Sequence, residues 1–281
     1  MSDYLRPASL AQAVHYRREH PDYLVIAGGT DLMVGSRERP EPAGLIDLFG
    51  LAELCGIEKR DTALWIGAAT PYAEVLRSPL VARHAPMLSE SVREIGAVQI
   101  QARGTLGGNL VTSSPVGDTL PVLLALDATV ALVSWRGERV VPYREFCVGY
   151  RRTQLAPDEL VTCVRIPRPA AQSHQLWRKV GTRRAQAISK VMLAAYAELD
   201  RQGRVSTARM ALGAVADRPL RIAAAEAALA GRKPNTRTAA LVKAAVESAI
   251  TPIDDVRSTA DYRRTVAGNL AARFVLSLVE P

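Results

Sequence analysis

The sequence predicts an α+β protein built in two parts, and three observations carry that reading. Residues 1–166 interleave short apolar strands with short capped helices. Pro167-Arg168-Pro169, followed by the small residues Ala170 to Ser173, then halts both helix and sheet and reads as a linker. Beyond it, three strand patterns precede three helical ones, the segregated order of an α+β unit.

Ser9 and Gln12 form a capping box ahead of a helix over Leu10 to Glu19, which leads into a buried strand at Tyr23 to Ala27. Leu45 to Leu48 reads as a second strand and Leu51 to Leu54 as a turn of helix, with a lobe boundary at Gly56 to Thr62. A strand at Leu64 to Gly67 follows. Thr70 as N-cap and Pro71 at the first helical position then start a helix through Leu76, which Pro79 interrupts. A further helix runs from Met87 to Ile95, with Leu88, Val92 and Ile95 on one face, and another from Leu120 to Leu126. Thr129 to Trp135 and Arg139 to Val141, joined at Arg136-Gly137, read as a hairpin, and Leu160 to Ile166 as a strand. After the linker come strands at Gln175 to Val180, Lys190 to Leu199 and Val205 to Ala214. Helices follow at Ile222 to Ala230, Arg237 to Ala249 and Ala260 to Leu278, the first stopped by Gly231 and the second by Thr251-Pro252.

With 281 residues and 48% hydrophobic content, the chain can bury the core of two domains. No apolar run approaches the roughly 18 residues of a membrane span, and Met1 to Pro7 carries no signal-peptide core, so a cytoplasmic protein is expected. Cys55, Cys147 and Cys163 are far apart and form no C-x-x-C, while His15, His20, His84 and His174 are scattered. Neither disulfides nor a zinc or iron–sulfur site is expected on this chain. The net charge of +8 gathers at Arg136 to Arg152, Arg178 to Lys190 and Arg257 to Arg264 without interleaved stacking aromatics, which argues against nucleic acid and leaves acidic ligands or partner proteins.

Two stretches stand out chemically. Gly104-Thr105-Leu106-Gly107-Gly108-Asn109 places two glycines between a hydroxyl and an amide, ahead of Ser113-Ser114-Pro115 and Asp118. Without Cβ atoms the backbone can approach a ligand, and consecutive N–H groups can converge on an anion. Upstream, the Tyr23 to Ala27 strand empties into Gly28-Gly29-Thr30-Asp31, a second such stretch. Each pair alone could be no more than a tight turn; two together fit one extended ligand with a central pyrophosphate, such as a dinucleotide. The G-x-G-x-x-G, G-x-x-x-x-G-K-[ST] and G-x-S-x-G patterns are missing. The pattern therefore points to a cofactor carrier, in which the cofactor brings the chemistry and the protein its position.

Ala27-Gly28-Gly29-Thr30-Asp31-Leu32 and Thr105-Leu106-Gly107-Gly108-Asn109-Leu110, with Ser114-Pro115 and Asp118 behind them, resemble the FAD-binding signatures of the molybdenum hydroxylases. These are the flavin domain of xanthine dehydrogenase and the medium, flavin subunit of the carbon monoxide dehydrogenase group. The resemblance extends over nearly the whole chain. It implies a two-lobed FAD-binding domain of the vanillyl-alcohol-oxidase/PCMH type, with lobes at residues 1–58 and 59–170, and a flavoprotein C-terminal α+β domain at 174–281 with a three-stranded antiparallel sheet plus helices.

The same resemblance implies FAD as cofactor and assigns roles by position. Ile26, Ala27, Gly28, Gly29, Thr30, Asp31 and Leu32 would wrap the pyrophosphate together with Thr105, Leu106, Gly107, Gly108 and Asn109. Asp118 would accept hydrogen bonds from the cofactor's hydroxyls, its alternative role being a helix cap before Thr119 to Leu126. Ile95 falls where the family sets an apolar residue against the cofactor, the alternative being core packing. Ile188, in the Lys179 to Lys190 segment, matches a position touching the flavin ring, with Lys190 close by.

The implied activity is electron transfer within a larger oxidoreductase. The partners would be a molybdopterin-binding large subunit and a two-cluster iron–sulfur small subunit in a dimer of heterotrimers, with NAD+, a quinone or oxygen as acceptor. The basic surface would dock those partners. No cysteine-rich insert of the benzoyl-CoA-type relatives is present. Two other readings stand beside this one: a self-contained flavin oxidoreductase of the same fold, and a noncatalytic subunit without cofactor.

Overall fold

A computed structural model describes residues 3–34, 41–184 and 186–279. The first lobe is a parallel sheet of three short strands, β1 (Asp3–Leu5), β2 (Leu24–Ile26) and β3 (Gly44–Asp47), in the order β1-β3-β2. Helix α1 (Leu10–Glu19) lies between β1 and β2 in sequence. Its start follows the capping logic: Ser9 Oγ accepts from Gln12 N at 3.2 Å, and Gln12 Oε1 accepts in return from Ala8 N at 2.6 Å. Ala13, Tyr23, Ile46, Leu48, Leu51 and Leu54 form this lobe's core, the last on a one-turn 3-10 helix at Ala52–Leu54.

Strand β4 (Ile57–Arg60) occupies the segment read as a lobe boundary; it pairs antiparallel with β5 (Ala63–Gly67). A strand of this kind is hard to read because only Ile57 among its residues is apolar and it lies at a sheet edge. Helices α2 (Tyr72–Arg77), α3 (Pro79–His84), α4 (Pro86–Arg93), α5 (Val98–Gln101), α6 (Leu106–Thr112) and α7 (Leu120–Ala125) follow. Thr70 is not the cap expected of it. Pro71 is the N-cap of α2, while the buried Thr70 hydroxyl donates to Gly56 O at 3.1 Å and ties the helix entry to the first lobe. Nor does Pro79 merely interrupt: it opens α3 at N1, where its missing N–H costs nothing, and Ser78 caps that helix.

Strands β6 (Thr129–Ser134) and β7 (Gly137–Pro142) form the expected hairpin. Helix α8 (Tyr143–Phe146) and the small hairpin of β8 (Cys147–Gly149) and β9 (Arg152–Thr153) lead to β10 (Leu160–Pro167). β10 is the central strand of an antiparallel sheet ordered β4-β5-β10-β6-β7.

Past the linker, β11 (His174–Val180), β12 (Val191–Leu199) and β13 (Val205–Gly213) pair antiparallel as expected, and a short β14 (Leu220–Arg221) adds a fourth strand beside β13. Helices α9 (Ala223–Leu229), α10 (Thr236–Ala249) and α11 (Ala260–Ser277) cover one face. The opposite face meets the second lobe. Along β12, Val191, Leu193, Ala195 and Ala197 pack under the helices, while Met192, Ala194 and Tyr196 join the core of the second lobe. Burial on both faces explains why this strand reads as a continuous apolar run.

Candidate functional site

A cavity of about 560 Å³ opens between the first two lobes. One wall is the end of β2 and the loop after it, Leu24 to Leu32. The facing wall is Tyr72 at the start of α2, Ile95, and Thr105, Gly107, Gly108 and Asn109 around the start of α6. Ser114, Val116 and Gly117 extend that wall, and Arg17, Leu155, Glu159, Leu160 and Val161 line the remaining side.

The two glycine stretches meet, and each glycine serves a different need. A Cβ on Gly28 would stand 1.7 Å from Arg103 O, so only glycine lets the first loop rest on the backbone before Gly104. Gly29 has φ +75°, the left-handed region that other residues enter at a cost. Gly107 fits its helix against Ala68, whose carbonyl oxygen would lie 2.6 Å from an added Cβ. Gly108 is exposed to the cavity, and an added Cβ there would meet only Thr105 Oγ1, at 2.9 Å.

The second stretch is therefore a helix start rather than a loop. Thr105 caps it, and the N–H groups of Gly107, Gly108 and Asn109 are already spent on Ala68 O (3.0 Å), Thr105 Oγ1 (3.0 Å) and Thr105 O (3.1 Å). What it offers a ligand is the bare surface at Gly108 and the Asn109 side chain. The first loop differs: the N–H groups of Gly28, Gly29, Thr30 and Asp31 donate to no acceptor among the described residues.

Of the residues singled out in the sequence, Ile26 to Leu32, Ile95, Thr105, Gly107, Gly108 and Asn109 come together around the cavity. Leu106 does not; it is fully buried in the core of the second lobe. Asp118 also lies off the cavity wall and caps nothing, since α7 begins from Thr119. Its Oδ2 accepts from Lys179 Nζ at 2.8 Å and its Oδ1 from Ser189 Oγ at 3.0 Å, a buried clasp between the second lobe and the third domain. Burial holds its carboxyl above the usual carboxylate value, more strongly than Lys179 and Ser189 pull it down. Ile188 is half exposed and outside the cavity lining, and Lys190 Nζ sits 5.3 Å from the Tyr262 ring centre.

Sequence reasoning missed Tyr72, Arg17 and Glu159. The Tyr72 hydroxyl is buried on the cavity wall beside the Thr119 side chain, and burial, reinforced by Asp118 and opposed by a hydrogen bond with Thr119, raises its pKa so far that it stays a neutral donor. Arg17 Nε is buried and partnerless among the described residues, although Nη1 donates to Tyr23 O at 2.7 Å; burial lowers that guanidinium. Glu159 is satisfied: Arg139 grips both oxygens at 2.6 and 2.7 Å, Ala156 N donates at 2.8 Å, and its pKa falls below the usual value, chiefly through the Arg139 bonds. Nothing local in the sequence marks these three, since each reaches the site from an ordinary helix or turn. Among the described residues, no group of His, Cys, Asp and Glu could hold a metal ion, and no helix is long and apolar enough to cross a membrane.

A cleft lined by glycines from two stretches, with unspent main-chain N–H groups on one wall, is suited to a phosphate-bearing cofactor. Residues 1–169 match the family model described as the FAD binding domain in molybdopterin dehydrogenase, and residues 177–278 match the CO dehydrogenase flavoprotein C-terminal domain. The chain is 34% identical over 235 residues to the nicotinate dehydrogenase FAD-subunit of Eubacterium barkeri, covering 82% of this chain and 79% of that one. It is 31% identical to the carbon monoxide dehydrogenase medium chain of Afipia carboxidovorans, covering 97% of this chain and 95% of that one. Among solved structures, carbon monoxide dehydrogenase from Hydrogenophaga pseudoflava superposes with a TM-score of 0.93 at 30% identity, over 97% of this chain and 95% of that chain. The chain belongs to the family of FAD-binding subunits of the molybdopterin-dependent dehydrogenases, oxidoreductase flavoproteins of the xanthine and carbon monoxide dehydrogenase type, and its cofactor is FAD.

Proposed function

We propose that the chain is the electron-transferring flavin subunit of a molybdenum hydroxylase complex, taking electrons from iron–sulfur clusters on a small partner subunit and passing them to NAD+, a quinone or oxygen. The observation that carries this reading is the cleft formed where Gly28 rests on Arg103-Gly104, because it brings the free N–H groups of the first loop and Gly108 to one cavity. Bound FAD supplies the change from one-electron to two-electron transfer.

The residues present fit that cofactor. Gly28, Gly29, Thr30 and Asp31 offer main-chain donors to the diphosphate, and Gly108 gives it room beside the Asn109 amide. Tyr72 and Arg17 line the same cleft beside them. Ile95 and Leu155 exclude water from its apolar parts. Asp118 acts on the site by pinning the Lys179 to Lys190 segment, bearing Ile188, against the second lobe. The two lobes at residues 1–58 and 59–170 carry the cofactor, and the domain at 174–281 closes on it.

A molybdopterin-binding large subunit and the iron–sulfur subunit complete the assembly, as a dimer of heterotrimers, in the cytoplasm. Purification from the native source, with mass spectrometry of co-purifying chains and flavin absorption near 450 nm followed during anaerobic addition of electron donor, tests this. Bleaching of the flavin only when the partner chains are present supports the proposal. A flavin reduced by substrate on the isolated chain contradicts it.

A further inference from the structure

We infer that Thr119 is a positioning residue for the cofactor's diphosphate: its hydroxyl fixes the Asn109 carboxamide so that the NH2 group, not the carbonyl oxygen, is the end free for the ligand. The inference rests on the reading of the cleft as the FAD seat. Thr119 is fully buried, and its side chain makes no capping bond to α7. Its Oγ1 lies 2.6 Å from Asn109 Oδ1. The Asn109 atom facing Thr119 is the oxygen, and the threonine is the donor.

With Oδ1 committed, Asn109 keeps two N–H donors on Nδ2, which no described residue accepts. Phosphate oxygens are acceptors, so this is the end of the amide that suits them. An amide free to rotate would present its oxygen as readily and set one acceptor against another. The choice matters at this position because the main-chain N–H groups of Gly107, Gly108 and Asn109 are consumed within the fold, leaving the Asn109 side chain as the donor beside Gly108. Thr119 is itself held in place from the third domain. The preceding residue, Asp118, is clasped by Lys179 at 2.8 Å and Ser189 at 3.0 Å.

The test uses the full chain purified with its partners, stripped of flavin, and titrated by fluorescence quenching with FAD and with riboflavin, which lacks the phosphates. Thr119→Val keeps the shape and removes the hydroxyl. It should weaken FAD binding about tenfold or more while leaving riboflavin unchanged. Thr119→Ser should restore FAD binding to within about twofold of the parent. Asn109→Asp, which offers only acceptors, should weaken FAD at least as much as Thr119→Val. The double variant Thr119→Val/Asn109→Ala should bind no worse than Asn109→Ala alone, since both changes remove one coupled interaction.

Parental affinity in Thr119→Val, parental affinity in Asn109→Asp, or equal loss of FAD and riboflavin would each overturn the assignment. Gly108→Val separates the two readings. If it binds FAD like the parent, the cleft is not the seat and the inference falls with it; if it fails to bind while Thr119→Val does not, only the role of Thr119 falls.

Discussion

The same dipeptide, Gly-Gly, occurs on both walls of the cleft and does opposite things. At Gly28-Gly29 the backbone leaves a strand, takes a positive φ at the second glycine and keeps its N–H groups unspent. At Gly107-Gly108 the backbone is helical, its N–H groups are bonded within the fold, and only the second glycine faces open space. A glycine pair therefore specifies closeness, not a conformation. One wall provides main-chain donors, and the other provides room plus a side-chain amide.

Substitutions separate these roles. Gly28→Ala should have the largest effect, since its Cβ would stand 1.7 Å from a carbonyl oxygen that no side-chain rotation can clear. Overpacking of this severity costs about 3 kcal/mol or more, so both flavin content and the thermal midpoint should fall. Gly108→Val should lose the flavin with the fold kept. The site is helical and the new Cβ would press only on the capping Thr105 Oγ1, so stability should change by about 1 kcal/mol, while absorption near 450 nm disappears. Gly107→Ala should do the reverse. Its Cβ presses on Ala68, a cost of about 1–3 kcal/mol, offset by roughly 1 kcal/mol of helix propensity, so the melting midpoint drops modestly with flavin retained.

The smallest effect is electrostatic. The folded state lowers the pKa of Glu159, so its contribution to stability is fully present above the unfolded value of about 4.3 and is lost as pH falls through the lowered value. Arg139→Met should cost about 1 kcal/mol at neutral pH and flatten that acid limb. Urea midpoints measured between about pH 3 and 7 check both expectations.

Much of the fold was legible where one signal dominated. Ser9 with Gln12, the α10 stretch stopped by Thr251-Pro252, and the apolar run of β12 each state their structure locally. The misreadings share a cause, which is that tertiary contacts decided among local options. Thr70 looks like a cap but is recruited by Gly56, and β4 is ordered by β5 despite its polar residues. Gly107-Gly108 is poor helix sequence, yet it is helical because Thr105 caps it and Ala68 accepts its N–H.

The site divides the same way. The glycine stretches could be found by pattern and Ile95 through the family resemblance, whereas Tyr72 and Arg17 become visible only in the fold, where both line the cavity. Leu106 sits inside the motif and points into the core, because alternate positions of a helix cannot all face one cleft.

Both glycine pairs are proposed to hold one diphosphate, the first through its N–H groups and the second through the space at Gly108. A structure of the full chain with FAD bound tests this most directly. Diphosphate oxygens should lie within hydrogen-bond distance of the Gly28 to Asp31 N–H groups and beside Gly108 and Asn109. A diphosphate resting on only one of the two walls, or bound outside the cleft, would contradict it.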